Sequence, residues 1–202
     1  MDSNDAKQSK VVRYAGAIKK QAIQFNEKGE RLYSSSSFKY ICENKNLDIC
    51  VADKVENAVV VVSHSGLLRF IYTGHSSQMS FTPVGIATDS TCLILVVDHD
   101  HQIIHAVNQD GQFIGYIENC NLQSPWGIYV DSKDRLFVAE SLTGQLSRLY
   151  LKYQCVLHDE LDLSTGVLSY LALENSIRFS HQWSCFSSVY PSKLKLRMKE
   201  TN

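Results

Sequence analysis

The chain has no C-x-x-C pair, no G-x-S-x-G, no glycine-rich phosphate loop and no H-E-x-x-H. Those absences remove the commonest sequence marks of thiol redox centres, serine hydrolases, nucleotide-phosphate binding and zinc proteases. Long apolar runs are missing as well. The longest, Ala58–Val62 and Leu93–Val97, are about five residues, whereas a membrane helix needs roughly 18. The polar start Met1-Asp2-Ser3-Asn4-Asp5 leads into no apolar segment of the kind that follows the basic residues of a signal peptide. These features predict a soluble, cytoplasmic protein with no membrane partner.

What is present is ordinary globular material. Among 202 residues, 44% are hydrophobic and 20% charged, enough apolar side chain to bury a core and too much for a disordered chain. The six cysteines, Cys42, Cys50, Cys92, Cys120, Cys155 and Cys185, fall partly inside apolar runs such as Asp48-Ile49-Cys50-Val51. In a reducing compartment they read as small core residues. Net charge is −1 but unevenly spread. Residues 1–45 hold nine Lys/Arg against five Asp/Glu, and residues 46–151 hold five against eleven. The front is mildly basic and the middle acidic, which reads as solvated loop charge rather than a nucleic-acid stripe.

An internal repeat organises the chain. Pro83-Val84-Gly85-Ile86 recurs 42 residues later as Pro125-Trp126-Gly127-Ile128, with Asp89 and Asp131 following at the same offset. Apolar strands closed by an acid come next, Leu93–Asp98 and Leu136–Glu140, with an earlier copy at Leu47–Asp53. Val59–Gly66 then matches Ile103–Gly111, and Gly66 to Gly111 is 45 residues. The Ser65-Gly66 and Asp110-Gly111 pairs have hairpin chemistry, and each leads into an alternating strand. Each unit thus holds four short strands in 42–45 residues, the size of a propeller blade. A parallel α/β arrangement has no room for its crossover helices.

The pattern Pro-x-Gly-Ile-x-x-Asp, then an apolar strand and an acid, resembles the NHL repeat. Asn44–Asp53, Gln109–Phe113 and Leu136–Glu140 are similar to the C-terminal propeller of tripartite-motif (TRIM) NHL proteins. The resemblance covers roughly residues 8–151, although the Asn-His-Leu tripeptide survives only in degraded form, as His101-Gln102-Ile103 and Glu56-Asn57-Ala58. The expected fold is all-β: an incomplete propeller of about three and a half NHL-type four-stranded blades. Residues 1–39 form a partial first blade, 40–75 and 81–120 one blade each, and 122–151 a partial last blade. Lys10–Gly16 reads as the third strand of the first blade. Ile23-Gln24-Phe25 and Leu32-Tyr33 make either its outer strand or a hairpin around Lys28-Gly29.

Residues 152–202 form a tail outside the repeat. Val167–Leu173 is expected to be a short strand or helix, and Ser192–Asn202 a loose basic end. Propellers of the family usually have six blades, so the resemblance implies a shortfall. A bare blade face of on the order of 400 Å² of apolar area forfeits about 10 kcal/mol of burial. The chain is therefore expected to be a fragment or truncated product, or to pair its open faces with a copy of itself.

Repeat positions carry structural expectations. Gly85 and Gly127 begin strands near a crowded axis, where a missing side chain helps packing. Gly66 and Gly111 serve turns, and Pro83 and Pro125 open blades. Asp53, Asp98 and Glu140 are expected to accept backbone N–H bonds at turns rather than to catalyse, and Asp89 and Asp131 are structural positions of the repeat. Asp98-His99-Asp100-His101, with His105 beyond, alone has metal-ligand character, and reads as turn histidines, since zinc needs converging ligands with outer support. No catalytic residue, metal or cofactor is assigned. Trp126 is a packing aromatic between blades or a surface anchor.

The functional expectation is a non-enzymatic protein-interaction module, with inter-blade turns lining one end of the propeller. The candidate contact residues are Lys54, Glu56, Asn57, His75, His99, His101, Gln102 and Thr143. In full-length relatives the resemblance implies recruitment of targets for ubiquitination, with the ligase chemistry in an N-terminal RING. This chain has no Cys/His-rich zinc segment, so ligase activity is not expected of it. Single-stranded RNA binding is a second reading, disfavoured by the acidic middle. A metal-dependent, lactonase-like six-bladed enzyme is a third.

Overall fold

The computed structural model describes residues 8–35, 37–75, 80–117 and 122–150, together with the strands Ile177–Arg178 and Leu194–Thr201. Short β-branched runs punctuated by tight turns give strands and, among the described residues, no helix. None of these elements is a helix long and apolar enough to cross a membrane.

In chain order the strands are β1 (Gln8–Ala15), β2 (Ile18–Ile23), β3 (Lys39–Glu43), β4 (Ile49–Asp53), β5 (Ala58–Val62), β6 (Leu68–Tyr72), β7 (Pro83–Thr88), β8 (Ile94–Asp98), β9 (Ile103–Val107), β10 (Phe113–Ile117), β11 (Pro125–Val130), β12 (Arg135–Glu140), β13 (Gln145–Tyr150), β14 (Ile177–Arg178) and β15 (Leu194–Thr201). They make four antiparallel sheets. Sheet 1 has the order β15-β1-β2, sheet 2 β3-β4-β5-β6, sheet 3 β7-β8-β9-β10 and sheet 4 β11-β12-β13-β14. The first strands of sheets 2, 3 and 4 lie beside one another, so the sheets fan out from a common inner edge. The arc is open, an incomplete propeller.

Two kinds of turn repeat around the arc. After each inner strand the chain reverses through Asn44–Asp48, Asp89–Leu93 and Asp131–Arg135, each closed by a hydrogen bond from the first amide to the last carbonyl. Each such turn has one left-handed residue, Leu47, Cys92 or Asp134. The outer hairpins use glycine there instead. Gly111 has φ +87°, and a Cβ on it would stand 2.8 Å from the Phe70 ring of the preceding sheet. Gly111→Ala is expected to lose about 1–2 kcal/mol in chemical denaturation, from backbone strain and this contact together.

Packing follows the radial order. One face of sheet 2 buries Cys50, Ala52, Val59, Val61 and Tyr72 against Ile86, Ile94, Val96 and Val107 of sheet 3. The other face of sheet 3 buries Leu95, Val97, Ile104 and Ala106 against Val130, Leu136 and Val138 of sheet 4. Central strands of sheets covered on both sides are buried at every position, as β4, β5 and β8 are. In β12 burial alternates, with Leu136, Val138 and Glu140 buried and Arg135, Phe137 and Ala139 half-buried. Among the described residues, that strand is covered on one side only. The contrast shows why runs such as Val59–Val62 carry no polar alternation.

Sheet 1 settles the two registers left open for residues 17–39. Gln21 of β2 donates to the Ser65 carbonyl, and Gly66 lies against Ile23. In the next sheet, Arg69 of β6 reaches Asp110 while Gly111 lies against Phe70. β2, which is Ile18–Ile23 and not the expected Ile23-Gln24-Phe25 or Leu32-Tyr33, therefore occupies the outer-strand place, and β1 the third. A small hairpin around Lys28-Gly29, bridged at Phe25 and Arg31, follows it.

The tail departs from expectation. Leu194–Thr201, read as part of a loose basic end outside the repeat, pairs antiparallel with β1 over its whole length, from Gln8↔Thr201 to Ala15↔Leu194. Ile177–Arg178 pairs with β13. The physical reason is visible in Leu194-Lys195-Leu196-Arg197-Met198-Lys199, which alternates apolar and basic with the period of a strand. A strand edge with unpaired N–H and C=O groups accepts such a segment whatever its distance in sequence. Val167–Leu173, expected as a strand or helix, lies outside the described residues.

Candidate interaction surface

The turn after each second strand and the segment before each first strand meet at the same end of the sheets. The repeated acids hold them together. Asp53 accepts from the Ser34 amide (2.8 Å) and hydroxyl (2.7 Å). Asp98 accepts from the Thr82 amide at 3.3 Å, and Glu140 from the Gln123 amide at 3.0 Å. Each carboxylate also fastens its own turn, Asp53 to the Val55 amide, Asp98 to His101 and Glu140 to Thr143 and Ser147. All three acids are buried. Charge there is tolerable because every carboxylate has several donors. Asp53 further holds the buried Lys39 Nζ at 3.6 Å. Asp89 and Asp131 do the same work at the opposite end, each accepting from amides two and four residues on.

Asp98 is the centre of the largest polar cluster. His101 Nδ1 lies 2.9 Å from its Oδ2, and His105 Nε2 lies 3.5 Å from the same oxygen. The Tyr72 hydroxyl stands 2.8 Å from His105 Nδ1. Burial alone would raise the Asp98 pKa. The contacts from His105, His101 and the Thr82 amide outweigh it and hold the carboxyl below the usual range. Burial also pushes the Tyr72 hydroxyl up. A tyrosine–histidine–carboxylate series is a proton-relay arrangement in principle, but all three groups are buried between sheets 2 and 3, where Tyr72, Phe81, Phe113 and Tyr116 surround the imidazole. Among the described residues, no group of three or more His, Cys, Asp or Glu side chains is placed to hold a metal.

Near the inner edge of this end, Trp126 bridges sheets. It sits on β11, and its Nε1–H donates to the Tyr40 hydroxyl on β3, two sheets away. Lys54 Nζ lies 5.5 Å from the indole centroid, and His99 meets the ring edge-on at 4.8 Å. Trp126 is half-buried and packs against the sheet 3–sheet 4 core. It is a packing aromatic that is also partly exposed. The strand beneath it is tightly seated, since a Cβ on Gly85 would meet the Trp126 carbonyl oxygen at 2.3 Å. Gly127 differs from what its place in the repeat suggests. Its nearest neighbour would be the Ala139 Cβ at 3.8 Å, an ordinary contact, and among the described residues no further sheet follows sheet 4.

The sequence-derived contact residues do not form one cluster. Lys54 and His99 converge on Trp126, while His101 and Thr143 are fastened to the acids beneath them. Glu56, Asn57 and Gln102 are exposed, but Asn57 and Gln102 also supply the left-handed residue of their turns, at φ 50° and 57°. His75 stands apart, stacked on Phe113 at 3.9 Å. Three apolar residues at this end escaped the sequence reading. Phe38 is 91% exposed, Leu142 79% and Val55 48%. Each is a single large apolar side chain set in a polar stretch, Ser34–Ser37, Ser141–Gly144 and Asp53–Asn57. That local contrast is the signal that would have found them.

No family model and no curated protein sequence matches the chain. Solved structures do. Virginiamycin B lyase from Staphylococcus aureus, solved with quinupristin, aligns at 15% identity with a TM-score of 0.54, covering 73% of this chain and 54% of that one. A streptogramin B lyase aligns at 16% identity and TM-score 0.53, covering 73% and 49%. U3-55K aligns at 14% identity and TM-score 0.52, covering 65% and 38%. The chain spans about half the length of the lyases it matches. At this identity the likeness speaks for architecture alone: the protein has the blade-by-blade fold of a β-propeller, left open.

Proposed function

We propose that this chain is a non-enzymatic interaction module, and that a partner protein docks on the end of the sheets bearing Phe38, Val55 and Leu142 around the Trp126–Lys54–His99 cluster. The observation that carries the reading is the exposure of these three large apolar side chains at one end, on turns that buried carboxylates hold in place. An apolar group set on a rigid polar scaffold is what a protein interface uses as an anchor. The repeat acids supply no spare chemistry there, because each is buried and fastened to amides and hydroxyls. The resemblance of the repeat to NHL propellers supports recruitment of ubiquitination targets as the wider role, in the cytoplasm.

The test is affinity enrichment with wild-type protein and a Phe38→Ser/Leu142→Ser double variant, with captured proteins identified and then titrated as purified components. Both positions are exposed, so stability is expected to change by no more than about 0.5 kcal/mol per site. Binding of a genuine partner should fall by tenfold or more, on the order of the 1.4 kcal/mol or greater that an anchor side chain contributes. A partner that binds both proteins equally would sink this surface as the docking site. Binding to single-stranded RNA that strengthens steeply at low salt would favour the nucleic-acid reading instead.

A further inference from the structure

Cys42 on β3 and Cys50 on β4 are direct cross-strand partners in sheet 2. Both are free thiols, Cys50 buried and Cys42 half-buried, and each side chain lies within electrostatic reach of the other. Residues opposite one another in an antiparallel pair have Cα atoms about 4.5–5.5 Å apart. A disulfide spans Cα separations of about 4.4–6.8 Å. The register therefore places the two Cα atoms within the reach of a disulfide.

We propose that Cys42 and Cys50 form a reversible cross-strand disulfide, so that sheet 2 exists in a dithiol and an oxidised form. The oxidant is a low-molecular-weight disulfide of the glutathione class. The half-exposed Cys42 attacks as thiolate on one sulfur of that disulfide, which expels one small thiolate and leaves a mixed disulfide on Cys42. Cys50 then passes its proton to the expelled thiolate and attacks the Cys42 sulfur, releasing the second small thiol. One small-molecule S–S bond and two protein thiols become one protein S–S bond and two small thiols. The neighbouring Cys42 thiol and burial keep the Cys50 thiol protonated, so the order of attack is from Cys42 outward.

Reversibility follows from geometry. Opposed Cβ atoms stand about 4.5–5.5 Å apart, and a disulfide draws them to about 3.8 Å. The bond pulls β3 and β4 together and is strained, which places it among the readily reduced, regulatory kind. Its effect reaches the surface described above. Tyr40, two residues along β3 and on the same face as Cys42, accepts the Trp126 hydrogen bond. Cys50 itself packs into the sheet 2–sheet 3 core.

The experiment takes the full chain through mixtures of reduced and oxidised glutathione, quenches with an alkylating agent and maps peptides after trypsin, which cuts at Lys45 between the two cysteines. The expected result is a linked Cys42–Cys50 peptide pair, two hydrogens lighter than its reduced parts and lost on adding dithiothreitol. In Cys50→Ser the link disappears and Cys42 carries glutathione. Wild-type Cys42 accumulating as the glutathione adduct with Cys50 still reduced would overturn the proposal. So would reduced Cys42 and Cys50 at every ratio that modifies Cys92, or linkage of Cys50 to another cysteine. The wild-type map decides the matter whether or not the serine variant folds.

Discussion

Gly85→Ala is expected to destabilise the protein by about 3 kcal/mol, a fall in Tm of about 6–12 °C for a chain of this size. A single methyl group seldom does so much. Here its Cβ would lie 2.3 Å from the Trp126 carbonyl oxygen, 3.0 Å from the Ile128 amide nitrogen and 3.2 Å from the Gly127 Cα. All three obstacles are backbone, so no side chain can swing aside, and relief requires β7 and β11 to separate. Separation would open the interface that buries Leu95, Val97, Leu136 and Val138. Gly127→Ala at the matching repeat position is the control. It meets only the Ala139 Cβ at 3.8 Å, and in a strand alanine is preferred to glycine by about 0.5–1 kcal/mol. Thermal denaturation of the two variants side by side should give a large loss and a neutral or slightly favourable change. Equal effects would mean that sheets 3 and 4 are not packed in this register.

Removing the Asp98 carboxylate should cost about 3–4 kcal/mol, since its loss leaves the buried Thr82 amide and the His101 imidazole without their acceptor. Asp98→Ala is the severe test. Asp98→Asn retains one acceptor oxygen but not the charge, and should fall between. The pH dependence has a definite direction. The folded-state pKa of Asp98 is lowered, after the contacts from His105, His101 and Thr82 overcome the opposing effect of burial. Its contribution is therefore present above the unfolded carboxylate value of about 3.9 and is lost as pH falls through the lower folded value. Urea midpoints of wild type and Asp98→Asn measured from pH 7 down to pH 3 should converge at the acid end. Curves that stay parallel would show that Asp98 is not the group responsible.

The repeated acids show how far local reading reaches. Asp53, Asp98 and Glu140 follow apolar strands and precede polar turns, and this placement alone suggested backbone hydrogen bonding. What the sequence could not identify was the distant half of each contact. Ser34, Thr82 and Gln123 sit 16–19 residues upstream, in segments with no strand pattern of their own. The turns that follow the second strands were legible in the sequence, whereas Phe38, Val55 and Leu142 looked unremarkable beside the charged and histidine residues of the same loops. Cys42 and Cys50 illustrate the same limit. Each reads singly as a small core residue, and only strand register makes them neighbours.

The amino-acid sequence by itself determined the strands, their antiparallel hairpins and the period of the sheets, because alternation, β-branching and turn chemistry act over a few residues. Tertiary structure alone decided which glycine is crowded, where Leu194–Thr201 finds a partner and which side chains are left facing solvent. Those outcomes depend on what lies across an interface or along an open strand edge, and no local pattern encodes the distant element that will arrive there.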